Sequence, residues 1–112
     1  MPEEQSETAR AEIQVFQTTR FEKALKKLPD ASQMVVEDAI DEILLNPELG
    51  ELKAGDLDHL RVHKLKVNSI QYLLGYNWNE DRLVIHLLQL GTHENYYQNA
   101  RSRRKADIKY IG

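Results

Sequence analysis

The chain has 112 residues, a formal net charge of −3 and no cysteine. This length predicts a single domain with its own core, and the lack of cysteine excludes disulfides and thiolate metal sites. No apolar run is long enough to cross a bilayer. Residues 1–11 are polar, unlike a signal peptide, and are predicted to be a disordered arm. We therefore expect a soluble cytoplasmic protein with one domain at 12–106 and a short tail at 107–112.

The two halves of the chain carry charges of opposite sign. Residues 1–58 contain six basic and fourteen acidic side chains, a balance of −8. Residues 59–112 contain nine basic and four acidic ones, a balance of +5. This asymmetry favours contact between the second half and a polyanion or an acidic partner. The alternative is that the charges only form solvated faces of the protein.

A short strand and two amphipathic helices are predicted for the first half. Residues 12–17 begin with alternating apolar and polar side chains, which is typical of an edge strand. Thr19 followed by Glu22 has the form of a capping box, and the helix that it opens is closed by a proline. A second capping box, Asp30 with Gln33, opens a helix that a later proline ends.

The second half changes to the period of β-strands. Three strand-like runs are separated by short polar turns and lie at 60–67, 70–76 and 83–90. A helix from Thr92 to about Arg104 follows them. The predicted order is β-α-α-β-β-β-α. This is an α+β fold in which two N-terminal helices pack on an antiparallel or mixed sheet of about four strands, with a C-terminal helix.

The first strand of the second half changes the phase of its apolar alternation. Leu60 and Val62 share one face, whereas Leu65 and Val67 fall on the other face of a regular strand. A slip of one residue after His63 predicts a β-bulge that brings the basic side chains of this strand to one surface. The alternative is an ordinary exposed strand whose lysines discourage edge pairing.

The segment at 87–97 ends a buried strand with a glycine and then presents a histidine and two tyrosines. If a helix starts at Thr92, Tyr96 and Tyr97 project from the same side of it as His93. Histidine has the unperturbed pKa nearest to neutral pH, so it suits proton transfer. This junction is the strongest candidate site in the sequence.

These motifs resemble those of the RelE/ParE superfamily of toxins from type II toxin–antitoxin systems. The resemblance rests on strands reading Leu-Arg-Val-His-Lys-x-Lys and Tyr-Leu-Leu-x-Tyr, and on the junction Leu-Leu-x-Leu-Gly-x-His-Glu-Asn-Tyr-Tyr. It covers roughly residues 16–104. It implies a small RelE-like fold and, under every branch of the superfamily, a cognate antitoxin as partner.

RelE-like members are ribosome-dependent, metal-independent endoribonucleases that cut mRNA, and the resemblance implies this activity without a cofactor. The 2′-OH of the substrate attacks the adjacent phosphate, so the protein supplies general acid and base groups and cations. The junction is closest to that of the histidine-containing YafQ- and HigB-like members. The implied catalytic residues are His93, His63, Lys64, Lys66, Arg61 and Tyr97. The implied RNA contacts are Tyr96, Arg101, Arg103 and Arg104.

Departures from the RelE pattern leave other functions open. Gln71 lies near the position where several RelE-like members carry an arginine, and a Thr-His pair ending at His93 stands where RelE has arginine after the glycine. One alternative is a ParE-like toxin that inhibits DNA gyrase through its basic C-terminal helix. Another is an inactive homologue that only binds its antitoxin. Tyr96 and Tyr97 are also exchangeable at this point, since either could stack on RNA while the other packs in the core. His86, between apolar neighbours, is expected to be a core histidine.

Overall fold

A five-stranded mixed sheet forms the centre of the fold in a computed structural model that describes residues 12–112. The strands span Gln14–Gln17 (β1), Glu51–Leu52 (β2), Arg61–Val67 (β3), Ile70–Asn79 (β4) and Val84–Thr92 (β5). Their spatial order is β1-β5-β4-β3-β2, with β1 parallel to β5 and every other pair antiparallel. The N-terminal arm predicted at 1–11 lies outside the described residues.

Four helices flank the sheet within residues 12–112, and none of them is long and apolar enough to cross a membrane. They span Thr19–Lys26 (α1), Asp30–Leu45 (α2), Tyr96–Ser102 (α3) and Arg104–Ile111 (α4), and a 3₁₀ turn lies at Gly55–Leu57. The predicted α+β class with two N-terminal helices is confirmed. The sheet has one strand more than expected, β2, and the C-terminal helix is interrupted at Arg103. It then continues as α4 through most of the predicted tail.

The sheet buries one hydrophobic core on each of its faces. The first face, called the α1–α2 face below, carries the buried residues Phe21, Val36, Ala39, Ile43, Val67, Leu74, Tyr76, Ile85, Leu87 and Leu90. The second, called the α3 face below, carries Leu57, Leu60, Val62, Leu73, Leu88, Tyr96 and Ala100. Because helices cover both faces, the central strands β4 and β5 are apolar on both sides.

The β-bulge predicted in β3 is wrong. β3 pairs with β4 in one unbroken register from Arg61 to Val67. Its apolar side chains change face because the strand passes from one core to the other. Val62 packs on the α3 face, whereas Val67 packs on the α1–α2 face. A regular strand covered first on one side and then on the other therefore looks like a strand with a phase slip.

The register shift of the sheet lies between β4 and β5 instead. Gly75 pairs with Gln89, whereas the next residue, Tyr76, pairs with Leu87. Leu88 is thus the extra residue on β5 and packs into the core of the α3 face. A bulge of this kind re-aims the side chains on either side of it. Here it lies beside α3, where the helix is attached to the sheet.

The helix starts differ from the predicted capping boxes. Thr18, one residue before the predicted cap, is the N-cap of α1 and accepts a hydrogen bond from Phe21 N at 3.0 Å. α2 follows Pro29 without a side-chain cap, and Gln33 donates to the carbonyl of Leu28 at 2.8 Å. Two consecutive threonines, Thr18 and Thr19, could each cap α1, so the sequence pattern left the cap uncertain by one residue. Because β1 ends at Gln17, the next residue, Thr18, becomes the cap.

Candidate functional site

Tyr96 attaches α3 to the sheet. This side chain is 2% exposed, and burial raises the pKa of its hydroxyl. The hydroxyl donates to the Gln89 carbonyl at 3.0 Å, and the Gln89 side-chain amide donates to the Tyr96 carbonyl at 2.9 Å. A Cβ atom at Gly75 would come within 2.5 Å of the hydroxyl oxygen. The prediction of Tyr96 as an RNA contact is therefore wrong, because its ring is enclosed in the core, and the accessible tyrosine is the half-buried Tyr97.

His93 lies in the turn between β5 and α3 rather than on the helix. β5 continues through Thr92, and Asn95 adopts a left-handed conformation with a φ of 57°, which asparagine tolerates. The Tyr96 N–H donates to the His93 carbonyl at 3.2 Å and closes the turn. Thr92 is thus not a helix cap, and the expectation that His93 shares one helical side with both tyrosines is wrong. The imidazole is exposed at the end of the sheet.

Lys64 and Lys66 are exposed on the α3 face of β3. The register pairs Lys64 with Leu73 of β4, and Leu73 pairs in turn with Gly91 of β5. Two strand spacings separate β3 from β5, a distance of about 10 Å. The row of paired residues across the sheet runs from Lys64 through Leu73 to Gly91, which is two positions before His93. The two lysines and the turn that contains His93 therefore lie at the same end of the sheet.

A third lysine, Lys53, joins this face although sequence reasoning missed it. It follows β2, and its ammonium lies 5.2 Å from the centre of the Tyr97 ring and hydrogen-bonds to Glu51. This hydrogen bond raises the pKa of Lys53 and lowers that of Glu51. Residues 48–58 are rich in acidic residues and are therefore predicted to be a loop without a functional role. The one available signal is the Glu51-x-Lys53 spacing, which places both side chains on one side of an extended segment.

Arg61 and His63 lie on the opposite face of β3, the α1–α2 face. Arg61 donates to the Gly50 carbonyl at 2.9 Å and approaches the Glu48 carboxylate to 3.9 Å. It thus ties the start of β3 to the segment that follows α2. His63 is half-buried. Regular alternation therefore separates this pair from the two lysines of β3, and the four side chains do not share one surface.

The three predicted arginines at the C-terminal end do not share one direction either. Arg101 Nε lies 3.4 Å from the Asp56 carboxylate, and Arg104 Nε donates to the Asp56 carbonyl at 2.6 Å. Both side chains thus hold the 3₁₀ turn against the helices. Arg103 instead lines an open cleft of about 500 Å³ beside α1 and α3, together with Arg20.

Two other histidines have buried ring nitrogens. His86 is 8% exposed and stacks on Phe16, with 5.5 Å between ring centres, as expected for a core histidine. Within residues 12–112, neither ring nitrogen of His59 nor Nδ1 of His86 has a hydrogen-bond partner. Burial lowers the pKa of both side chains, so both rings are neutral at pH 7. His93 is therefore the histidine that is accessible beside the lysines.

These positions define a candidate site, called the α3-face site below, formed by Lys53, Lys64, Lys66, His93 and Tyr97. It combines three ammonium groups, an accessible aromatic ring and an exposed imidazole. Ammonium groups bind phosphate, aromatic rings stack on unpaired bases, and imidazole exchanges protons near neutral pH. The site therefore has the chemistry that suits a single-stranded polyanion.

Residues 15–101 match the family model of ParE-like toxins of type II bacterial toxin–antitoxin systems. The chain belongs to this family. No curated protein sequence matches it at a significant level. The whole α3-face site lies within the segment that defines the ParE-like toxin, whereas α4 lies beyond it.

Solved structures of RelE toxins share the fold of this ParE-like toxin. A mutant of Escherichia coli toxin RelE in the free state gives a TM-score of 0.66 at 17% identity, over 83% of this chain and 96% of that one. The RelBE complex from Mycobacterium tuberculosis gives 0.61 at 22% identity, over 72% and 98%. The archaeal RelE–RelB complex from Pyrococcus horikoshii gives 0.54 at 21% identity, over 74% and 97%. The predicted membership of the RelE/ParE superfamily is confirmed, and the closer likeness to YafQ- and HigB-like members stays a prediction.

Proposed function

We propose that this ParE-like toxin is a metal-independent endoribonuclease that cuts mRNA on the ribosome and so arrests translation and growth. The observation that carries the proposal is the position of the exposed Lys64 and Lys66 at one end of the α3 face, with Tyr97 and the His93 turn. A basic surface beside an aromatic ring is the chemistry with which proteins hold single-stranded RNA. The exposed imidazole of His93 adds a side chain of the type that serves as a general acid or base.

The proposed reaction is attack of the substrate's 2′-OH on the neighbouring phosphorus. The P–O5′ bond breaks and leaves a 2′,3′-cyclic phosphate, so one proton leaves the 2′-oxygen and one reaches the 5′-oxygen. His93 carries out one of these transfers, and Lys64 and Lys66 stabilise the charge on the phosphoryl oxygens. Arg61 and His63 take no part in this mechanism, because they lie on the α1–α2 face.

The test compares His93→Ala with a distal control in cells in which the toxin is induced. The wild-type toxin is expected to stop growth and to create new 5′ ends in cellular mRNA. His93→Ala should cut at least about a hundredfold more slowly, the effect of losing a general acid or base. Lys27→Ala, at an exposed position after α1, should cut like wild type. Equal cleavage by His93→Ala and wild type would contradict the assignment.

Gyrase inhibition is the second candidate function, because the matching family model is that of ParE-like toxins. In that case growth inhibition survives in His93→Ala, and the purified toxin blocks DNA supercoiling. Charge reversal at the C-terminal arginines should then abolish toxicity, and these are Arg101, Arg103 and Arg104. A chain that neither cuts RNA nor inhibits gyrase, but binds its antitoxin, is an inactive homologue.

We also propose a cognate antitoxin as the protein partner. The matching structures from M. tuberculosis and P. horikoshii are toxin–antitoxin complexes. An acidic antitoxin segment would complement the lysines of the α3-face site. The toxin should therefore co-purify with the product of a small neighbouring reading frame, and Lys64→Glu with Lys66→Glu should weaken the complex. A toxin that purifies alone when both proteins are co-expressed would contradict this pairing.

A further inference from the structure

Lys53 is held at the α3-face site by three contacts. Its backbone N–H donates to the Leu60 carbonyl at 2.9 Å, which continues the pairing of β2 with β3 by one residue. Its ammonium lies 5.2 Å from the centre of the Tyr97 ring and hydrogen-bonds to the Glu51 carboxylate. The side chain is 23% exposed. Lys53 thus occupies a defined position at the site instead of extending freely into solvent.

Glu51 places a carboxylate between two lysines. β2 pairs Glu51 with Val62, and Lys64 is the next residue of β3 on the same face. Glu51 and Lys64 are therefore diagonal neighbours, within reach of each other's long side chains. The Glu51 side chain is 73% exposed. The hydrogen bond from Lys53 and the charge of Lys64 lower the pKa of Glu51, so it is ionised at neutral pH.

We propose that Lys53 is a further phosphate-binding residue of the toxin and that Glu51 is its internal counter-ion. In the free protein the Glu51 carboxylate occupies the place that a backbone phosphate of the RNA takes in the complex. This inference rests on the proposed nuclease function, because it assigns residues to the substrate site of that activity. It concerns anion binding, which is measurable without any cleavage.

Replacing the Glu51 carboxylate by a phosphate at the Lys53 ammonium should require little free energy. Both groups offer charged oxygen acceptors to an ammonium. Exposed ion pairs contribute little to stability, so the Lys53–Glu51 contact is easily replaced. Two contacts of Lys53 do not depend on Glu51, namely the backbone hydrogen bond and the approach to Tyr97. The ammonium therefore stays at the site when the carboxylate moves away.

The arrangement predicts effects of opposite sign for two residues in direct contact. Loss of the Lys53 ammonium removes a ligand of the phosphate and weakens binding. Loss of the Glu51 charge removes a competitor and strengthens binding. If the ion pair only stabilises the segment around β2 and takes no part in anion binding, neither change alters the phosphate affinity by more than the loss of a like charge at a distant exposed position.

The experiment is a titration of the purified full-length toxin with inorganic phosphate, followed by the NMR shifts of backbone amides around β2 and β3. Glu51→Gln should lower the Kd at least about threefold, and Lys53→Gln should raise it at least about threefold. Lys53→Arg keeps the positive charge and should bind phosphate more tightly than Lys53→Gln does. The matched controls are Glu37→Gln and Lys27→Gln, at exposed positions on α2 and after α1, and they should change the Kd by less than these amounts.

Two results overturn the inference. The first is phosphate binding by Glu51→Gln that is no tighter than that of Glu37→Gln. The second is binding by Lys53→Gln as tight as that of Lys27→Gln. Failure of the nuclease proposal gives a different result. If the toxin cuts no RNA, but Glu51→Gln lowers the Kd for phosphate and Lys53→Gln raises it, the anion site stands and only the nuclease proposal fails. If cleavage depends on His93, but the two Kd values do not change in opposite directions, only the roles of Lys53 and Glu51 are refuted.

Discussion

Replacing Gly75 with alanine is expected to destabilise the fold mainly through its contact with Tyr96. The new Cβ atom would lie 2.5 Å from the Tyr96 hydroxyl oxygen and 2.9 Å from Leu60 Cδ1, where ordinary contacts are 3.4–4 Å. The hydroxyl must therefore move by about 1 Å, and such overpacking costs about 1–3 kcal/mol. Weakening its hydrogen bond to Gln89 adds about 1 kcal/mol, and the lower entropy of the unfolded alanine chain offsets a similar amount. We expect a net loss of about 2 kcal/mol in the free energy of unfolding.

A double-mutant cycle isolates this contact. Tyr96→Phe alone should cost about 1–2 kcal/mol, because it leaves the buried Gln89 carbonyl without its donor. In the Tyr96→Phe background, Gly75→Ala meets no hydroxyl and should cost about 1 kcal/mol less than in wild type. Urea unfolding followed by circular dichroism gives these energies, provided that the m-values agree. Gly91→Ala is the matched control, because its Cβ would lie 3.8 Å from Tyr96 Cδ2, and it should change stability by less than about 0.5 kcal/mol.

Additive costs for Gly75→Ala and Tyr96→Phe would refute the reasoning, because they would show that the new methyl group does not meet the hydroxyl. A Gly91→Ala variant as unstable as Gly75→Ala would contradict the position of α3 on the sheet. The result bears on the site, since Tyr96 holds in place the helix that carries Tyr97. Variants that loosen Tyr96 should therefore also weaken the anion binding that we propose for the α3-face site.

Three further predictions concern the rest of the fold. The free energy of unfolding should fall as the pH drops below about 6.5, the ordinary pKa of histidine. Burial lowers the pKa of His59 and His86 in the folded protein, so below this pH the unfolded chain binds more protons than the folded one. Replacing both histidines by glutamine should flatten the stability measured by urea unfolding between about pH 5 and 8. Asp107 of α4 forms an ion pair with Arg20 of α1 at 2.7 Å, and its side chain is 4% exposed. Asp107→Ala leaves the guanidinium group without this partner and should lower the free energy of unfolding by about 2 kcal/mol. It should also speed amide hydrogen exchange in α4, and unchanged exchange there would argue against the anchoring of that helix by the ion pair. Thr18→Ala should cost about 1 kcal/mol in urea unfolding, and Thr19→Ala much less, because only the first is the N-cap.

Local patterns predict most of the elements of this protein. The apolar periods of α1, α2 and the three long strands are visible in the sequence because each buries one side, or both sides, of a regular structure. The end of β5 and the start of α3 are predicted less well. A glycine and a threonine indicate a helix start at residue 92, but three residues of turn, with Asn95 in a left-handed conformation, come first. Asparagine adopts this conformation more readily than most residues, but it is also common in right-handed helices and turns, so its presence alone does not place the turn.

The sequence by itself determined the class of the fold, the family resemblance and the chemical groups available for a site, such as His93 and Lys64. Only the tertiary structure decided which of these groups meet. Tyr96 is buried in the core whereas Tyr97 remains accessible, and the pairing of β2 with β3 brings Lys53 to the α3-face site. The physical reason why the sequence could not show this is that two separate sets of helices cover the sheet, α3 on one face and α1 with α2 on the other. A strand's own residues show that it alternates, but distant segments decide which side of each strand is buried.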